Sequence, residues 1–238
     1  MGTTTPGTYT TATNLSKLSY IPMAYDLEEQ EQLATIKAWW NQYGNLTSWL
    51  LIAALAGYSA WTGWNYYQRN QSAMASQLYE ELQKAVTAKD DAKVQRAATD
   101  MQEKFSTTTY AQMSALTAAK VAFDANDLKT AKAQLQWVVN NGRDEEYKAI
   151  AKIRLAGVLL DEKAYDEGLK LLSGDLPPQF ASTASDRRGD ILVAQNKIAE
   201  ARTAYQAALD KTDQKNPGRQ LIQLKLDAIG GAPAKAAA

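Results

Sequence analysis

Between Lys37 and Arg69 the chain runs for 31 residues without a single Asp, Glu, Lys or Arg. Within that stretch, Leu46 to Tyr67 reads LTSWLLIAALAGYSAWTGWNYY. At ~1.5 Å of rise per helical residue, 22 residues extend roughly 33 Å, enough for a hydrocarbon layer of about 30 Å. Aromatic residues gather at both ends, with Trp39, Trp40, Tyr43 and Trp49 before the apolar core and Trp61, Trp64, Tyr66 and Tyr67 beyond it. An indole has an apolar body and a polar N–H, so it prefers the headgroup boundary, and the clustering predicts the belts of a transmembrane helix over 46–67. The run starts too deep in the chain and lacks the short basic leader of a cleavable signal, so an uncleaved anchor is expected.

Ala53, Gly57 and Ala60 fall at i, i+4 and i+7 of that helix, a face along which another helix could approach closely in a membrane. Charge does not set the orientation. Near the span only Lys37 lies on the N-terminal side, against Arg69 and Lys84 on the C-terminal side.

Ahead of the span, residues 1–22 are rich in Thr with Gly and Pro and are expected to be a disordered extension. Met23 opens the acidic helical segment 23–45, which carries Asp26, Glu28, Glu29 and Glu31, and it is a candidate for the true start. A solvated first turn explains these acids better than a partner-binding tail.

From residue 68 onward the chain is rich in Ala, Gln, Lys and Leu, and its apolar residues recur at helical spacing. Helices are expected at about 72–88, 91–104, 109–124, 128–140, 145–161, 164–173, 181–195, 198–211 and 217–228, with no strand. The second helix of each pair carries a large residue, a small one three later and a bulky one four after that. The small residues are Ala97, Ala131, Gly168 and Ala201, spaced 34, 37 and 33 apart. Twelve residues before each stands a further small residue, Ala85, Ala119, Ala156 and Gly189. Antiparallel helices approach closely only where a side chain is small, so the pattern predicts helix pairs stacked side by side. It is the tetratricopeptide pattern in degenerate form. The fold class is therefore all-α, with one N-terminal transmembrane helix, a tetratricopeptide-like solenoid of about four pairs over 68–229, and a disordered tail over 230–238. A capping helix follows Asn216-Pro217, with Leu221, Leu224, Leu226 and Ile229 as its expected sealing face.

Composition then limits the chemistry. There is no His and no Cys, which removes imidazole bases, thiolate nucleophiles and most transition-metal sites. The 26 basic residues balance 26 acidic ones, unlike a dedicated nucleic-acid binder. Phosphate-binding glycine loops are missing. Asp124-Ala125-Asn126-Asp127 begins like a calcium loop but has Leu128 at a ligand position and Lys129 where the turn Gly belongs. The acidic pairs Glu80-Glu81, Asp90-Asp91 and Glu145-Glu146 point in different directions around a helix and read as solvated faces. Arg187-Arg188 could hold an anion. No catalytic residue, cofactor or metal is expected.

Several segments carry a resemblance. EQEQLATIKAWWNQYGN, the apolar span, and GWNYYQRNQSAMASQLYEEL follow one another as acidic helix, span, aromatic-rich exit and first repeat helix. Further on come AKAQLQWVV, IRLAGVLL and DRRGDILVAQNKIAEARTAYQAAL. Over about 23–229 this order resembles the ancillary SecYEG translocon subunits of Gram-negative bacteria, which are membrane-anchored periplasmic tetratricopeptide proteins. The resemblance implies an inner-membrane, single-pass adaptor or chaperone with a cytoplasmic N-terminus and a periplasmic repeat domain. Its implied partners are the SecYEG translocon, a membrane-anchored periplasmic chaperone of the prolyl-isomerase type, and unfolded or nascent polypeptides. The alternative it leaves open is a regulatory scaffold whose cytoplasmic segment binds an envelope-stress response regulator.

Overall fold

The computed structural model describes residues 22–231, with side chains from Glu29 onward. The expectations for residues 1–21 and 232–238, and for the side chains of Asp26 and Glu28, lie outside these. Among the described residues all regular structure is helical. The elements are α1 (Pro22–Thr87), α2 (Asp91–Lys104), α3 (Thr109–Asp124), α4 (Leu128–Asn141), α5 (Glu145–Asp161), α6 (Tyr165–Leu172), α7 (Ala181–Ala194), α8 (Ile198–Asp210) and α9 (Gly218–Ala228). A single 3-10 turn, Pro178–Phe180, precedes α7.

The helix expected to begin near 72 is instead the end of a 66-residue helix. Pro22 starts α1, and the next proline is Pro177. Gly44, Gly57 and Gly63 each stand alone, and one isolated glycine costs a helix only about 1 kcal/mol, too little to stop it. The chain divides into two compact units, residues 1–65 and 66–238. In the first, the helix is bare. Leu46, Trp49, Leu50, Leu51, Ile52, Leu55, Tyr58 and Trp61 are all more than half exposed, in every direction around the axis. Thr35, Thr47 and Thr62 turn their hydroxyls back to carbonyls one turn earlier, so these polar groups are satisfied within the helix.

In the second unit the helices pair in sequence. Each turn between the first and second helix of a pair closes through one non-glycine residue in the left-handed region: Lys89, Asn126, Lys163 and Asn196, with φ of 55°, 60°, 59° and 59°. The residue after each donates its N–H to a carbonyl five residues back, Asp90 to Ala85, Asp127 to Ala122, Ala164 to Leu159 and Lys197 to Leu192. That is the six-to-one closure of a helix C-terminus, and it satisfies carbonyls the helix leaves over. Four copies of one closure mark four helix pairs. Asp90 and Asp127 then cap the second helices by accepting from the N–H groups of Lys93 and Thr130.

These turns also fix the repeat register. Ala131, Gly168 and Ala201 each stand five residues after their turn residue, whereas Ala97 stands eight after Lys89. The residue five after Lys89 is Val94, which is fully buried. Turn-to-turn spacing is thus 37, 37 and 33. The first pair packs large side chains, Leu82 against Val94, at the register where the others use small ones.

The core clusters link consecutive helices along the chain. One joins Leu82, Val94 and Ala118 of α1, α2 and α3, and the next joins Leu116, Leu135 and Leu155 of α3, α4 and α5. Ile153, Leu172 and Ile191 continue it through α5, α6 and α7, and Tyr205, Leu209 and Leu226 close it against α9. Burying each of the Leu, Ile and Val side chains contributes about 1.5–3 kcal/mol, and the total is distributed along the stack as a solenoid requires.

The face of α9 differs from expectation. Ile222 and Leu226 are buried with Ile229 packed beside them, while Leu221 and Leu224 are 56% and 65% exposed. Both stripes have helical spacing, so periodicity alone could not choose. Arg219 donates to the carbonyls of Leu209 and Thr212, and Lys225 reaches Asp186 and Asp190, which fixes the rotation of α9. Asn216 Oδ1 accepts from Gly218 N at 2.8 Å, starting the helix through Pro217.

Candidate functional site

The first helices of the second, third and fourth pairs, α3, α5 and α7, line a groove of about 540 Å³. Its wall is apolar at Ala119, Leu135, Gly157 and Val158, and Phe123 stands in it with 43% of its surface exposed. Three cations, Lys120, Arg154 and Arg187, and two anions, Asp124 and Asp161, complete the lining. Lys120 pairs with Asp124 one turn along α3. Arg154 and Asp161 have no ion pair among the described residues.

The groove cations follow from the repeat. Arg154 and Arg187 both stand nine residues before their turn residue, so successive helices present them at the same place. Six residues before the turn stand Lys120, Gly157 and Asp190. Gly157 is the small member of that set, and its absent side chain leaves room for Arg187. A β-carbon there would lie 3.3 Å from Arg187 Cζ and 3.5 Å from its Nε.

Behind the groove, Arg187 joins a half-buried polar cluster on α7, α8 and α9. Its Nη1 donates to Asp190 Oδ2 at 3.2 Å. Asp190 Oδ1 accepts from Tyr205 Oη at 2.8 Å and faces Lys225 Nζ at 2.8 Å. Lys225 also donates to both oxygens of Asp186 at 2.9 Å. Burial pushes the Asp186 carboxyl above its ordinary value, against the lowering effect of its hydrogen bonds from Lys225, and neighbouring Asp190 adds to the rise. Burial, then the bond to Asp190, raises the Tyr205 phenol. Arg187 Nε is itself buried and meets no acceptor among the described residues.

Among the described residues no three acidic side chains gather to hold a metal ion. In the calcium-like stretch, Asn126 makes the left-handed turn and Asp127 caps α4, where hydrogen bonds from Thr130 hold its carboxyl below the ordinary range. Glu145 and Glu146 occupy the first turn of α5, paired with Lys148 and Gln179.

Ala97, Ala131, Gly168 and Ala201 are buried. A β-carbon on Gly168 would stand 2.9 Å from Ile191 Cδ1 and 3.5 Å from the Ala156 carbonyl. Ala53, Gly57 and Ala60 lie exposed on α1, and nothing stands within 4 Å of a β-carbon built on Gly57. By mean hydropathy, no helix among the described residues is long and apolar enough to cross a membrane. Over 46–67 the average is lowered by Asn65 and by Trp, Tyr, Ser, Thr and Gly, which hydropathy scores as polar.

Lys120, Phe123 and Arg154 were not separable from other helical surface residues in sequence. The signal that finds them is the turn register, since it alone shows which residues of successive helices fall on the groove side.

A family model described as a tetratricopeptide repeat-like domain matches residues 37–231, and so takes in the uncharged stretch as well as the helix pairs. An ancillary SecYEG translocon subunit of Neisseria gonorrhoeae is 34% identical over 212 residues, covering 87% of this chain and 100% of that protein. The chain belongs to the ancillary SecYEG translocon subunit family. Members from Haemophilus influenzae and Escherichia coli are 28% and 29% identical over 205 and 202 residues, covering 86% and 84% of this chain and 99% and 95% of theirs. The family thus extends over both units, the bare apolar helix and the grooved repeat domain.

Proposed function

We propose that the chain is a non-enzymatic adaptor of the inner membrane that accompanies the SecYEG translocon and passes emerging polypeptides to periplasmic chaperones. The relatives' name supports the translocon association. The observation that carries the membrane assignment is the bare helix of the first unit, where Leu50, Leu51, Ile52 and Leu55 expose apolar surface on all sides. A helix apolar all round needs an apolar surrounding, and between Lys37 and Arg69 this one has no Asp, Glu, Lys or Arg to forbid it. Its mean hydropathy is lowered in part by the indoles and phenols that belong at a membrane boundary. On this reading 46–67 is the span, 23–45 is cytoplasmic and the repeat domain is periplasmic. Ala53, Gly57 and Ala60 are its helix-packing face, and a membrane-anchored chaperone of the prolyl-isomerase type receives the polypeptide.

The test places a photo-crosslinking residue at Ala53 or Gly57 in cells. Capture of translocon subunits above the level of an unrelated single-pass anchor supports the reading, and equal capture refutes it. Protease added to spheroplasts should digest the repeat domain from outside. Full protection would reverse the orientation.

A further inference from the structure

We propose that the groove lined by α3, α5 and α7 binds an extended polypeptide segment in which a carboxylate side chain is flanked by large apolar residues. The inference deepens the proposed function and rests on it for the class of ligand, a polypeptide. The chemistry comes from the groove. Arg154 and Arg187 occupy the same repeat position on α5 and α7, and both line the cavity. Arg154 is exposed with no ion pair among the described residues. Arg187 is held by Asp190 through Nη1, and its Nε is buried without an acceptor. The exposed Arg154 guanidinium is therefore the group free to meet an incoming carboxylate oxygen in a charge-assisted bond, with Arg187 adding positive charge to the same lining.

The groove's own acids do not serve that purpose. Asp124 is already paired with Lys120, and Asp161 lies two turns beyond Arg154 on α5. A cavity of about 540 Å³ with Phe123, Leu135 and Val158 in its wall holds apolar side chains as well as the anion. Three cations against two anions is too weak an excess for a polyphosphate backbone.

The test uses the full chain in detergent micelles and fluorescein-labelled Gly/Ser-rich peptides carrying a Leu-Asp-Leu centre, read by fluorescence anisotropy. Replacing the central Asp by Asn should weaken binding about tenfold, the scale of one charge-assisted hydrogen bond. Arg154→Gln should abolish this difference while leaving residual binding, and Phe123→Ser should weaken both peptides alike. Both residues are exposed, so neither substitution threatens the fold, and circular dichroism verifies that. Equal affinity for the Asp and Asn peptides, or an Asp preference that survives Arg154→Gln, overturns the proposal. So does a failure of every peptide to bind. None of these results bears on capture of the translocon at Ala53 or Gly57, so the two readings fail separately.

Discussion

The Arg187 guanidinium of α7 lies against Gly157 of α5, its Cζ 3.3 Å from where a β-carbon on that glycine would stand. Gly157→Ala therefore has two opposed effects. Alanine is the better helix former by about 0.5–1 kcal/mol. Its methyl must also displace a flexible guanidinium by a few tenths of an ångström. We expect the urea midpoint to rise slightly while affinity for the Leu-Asp-Leu peptide falls. A drop in both would mean that Arg187 cannot give way.

Gly189 is the stricter case. A β-carbon there would overlap the Tyr205 ring, whose hydroxyl donates to Asp190 and whose face receives Lys225 at 5.8 Å from its centroid. The ring is fixed at both ends, so the overlap is relieved by moving α8 against α7. Gly189→Ala should cost about 1–3 kcal/mol, the range of overpacked cores, measured by urea unfolding. In combination with Tyr205→Leu its penalty should shrink, because the two sites share one contact. Additive losses would place the strain elsewhere.

Much of this architecture could be read from the residues. Helical spacing located the breaks between α2 and α9 to within a residue or two, because each break carries polar residues and a change of apolar phase. Two features could not be read. The sequence pattern places the first-pair register at Ala97, since a small residue looks alike wherever it falls, and only the left-handed Lys89 shows that Val94 holds the equivalent place. The rotation of α9 depends on Arg219 and Lys225 finding partners on other helices, contacts of up to 39 residues' separation that no local pattern encodes. The groove depends on both kinds of information and was invisible for that reason.

The four turn residues are not equally suited to their backbone. Asn126 and Asn196 tolerate the left-handed region, but Lys89 and Lys163 bear a β-carbon crowded by the following carbonyl, at a cost of roughly 1–2 kcal/mol. Lys163→Gly should raise Tm by about 2–4 °C, the shift that ~1 kcal/mol gives a domain of this size. Asn126→Gly should change it by less. Equal shifts at the two sites would show that side-chain contacts of Lys163, not its backbone, set the balance.

Asp186 gives the repeat domain a pH dependence of predictable sign. It faces Lys225 on α9 and shares α7 with Arg187 and Asp190, and burial raises its carboxyl above the usual 3.8. When the native value exceeds the unfolded one, the folded state holds its proton more tightly. The resulting stabilisation is complete below 3.8 and is lost as pH rises through the native value. Asp186→Asn removes the titration but keeps the shape, and Asp190 continues to hold Lys225. Urea midpoints of the two proteins, compared from neutral pH down to the unfolded value, should shift in favour of the Asp186 protein as pH falls. A shift in favour of the Asn variant would mean that the ion pair with Lys225 outweighs burial and that the carboxyl is lowered in the fold.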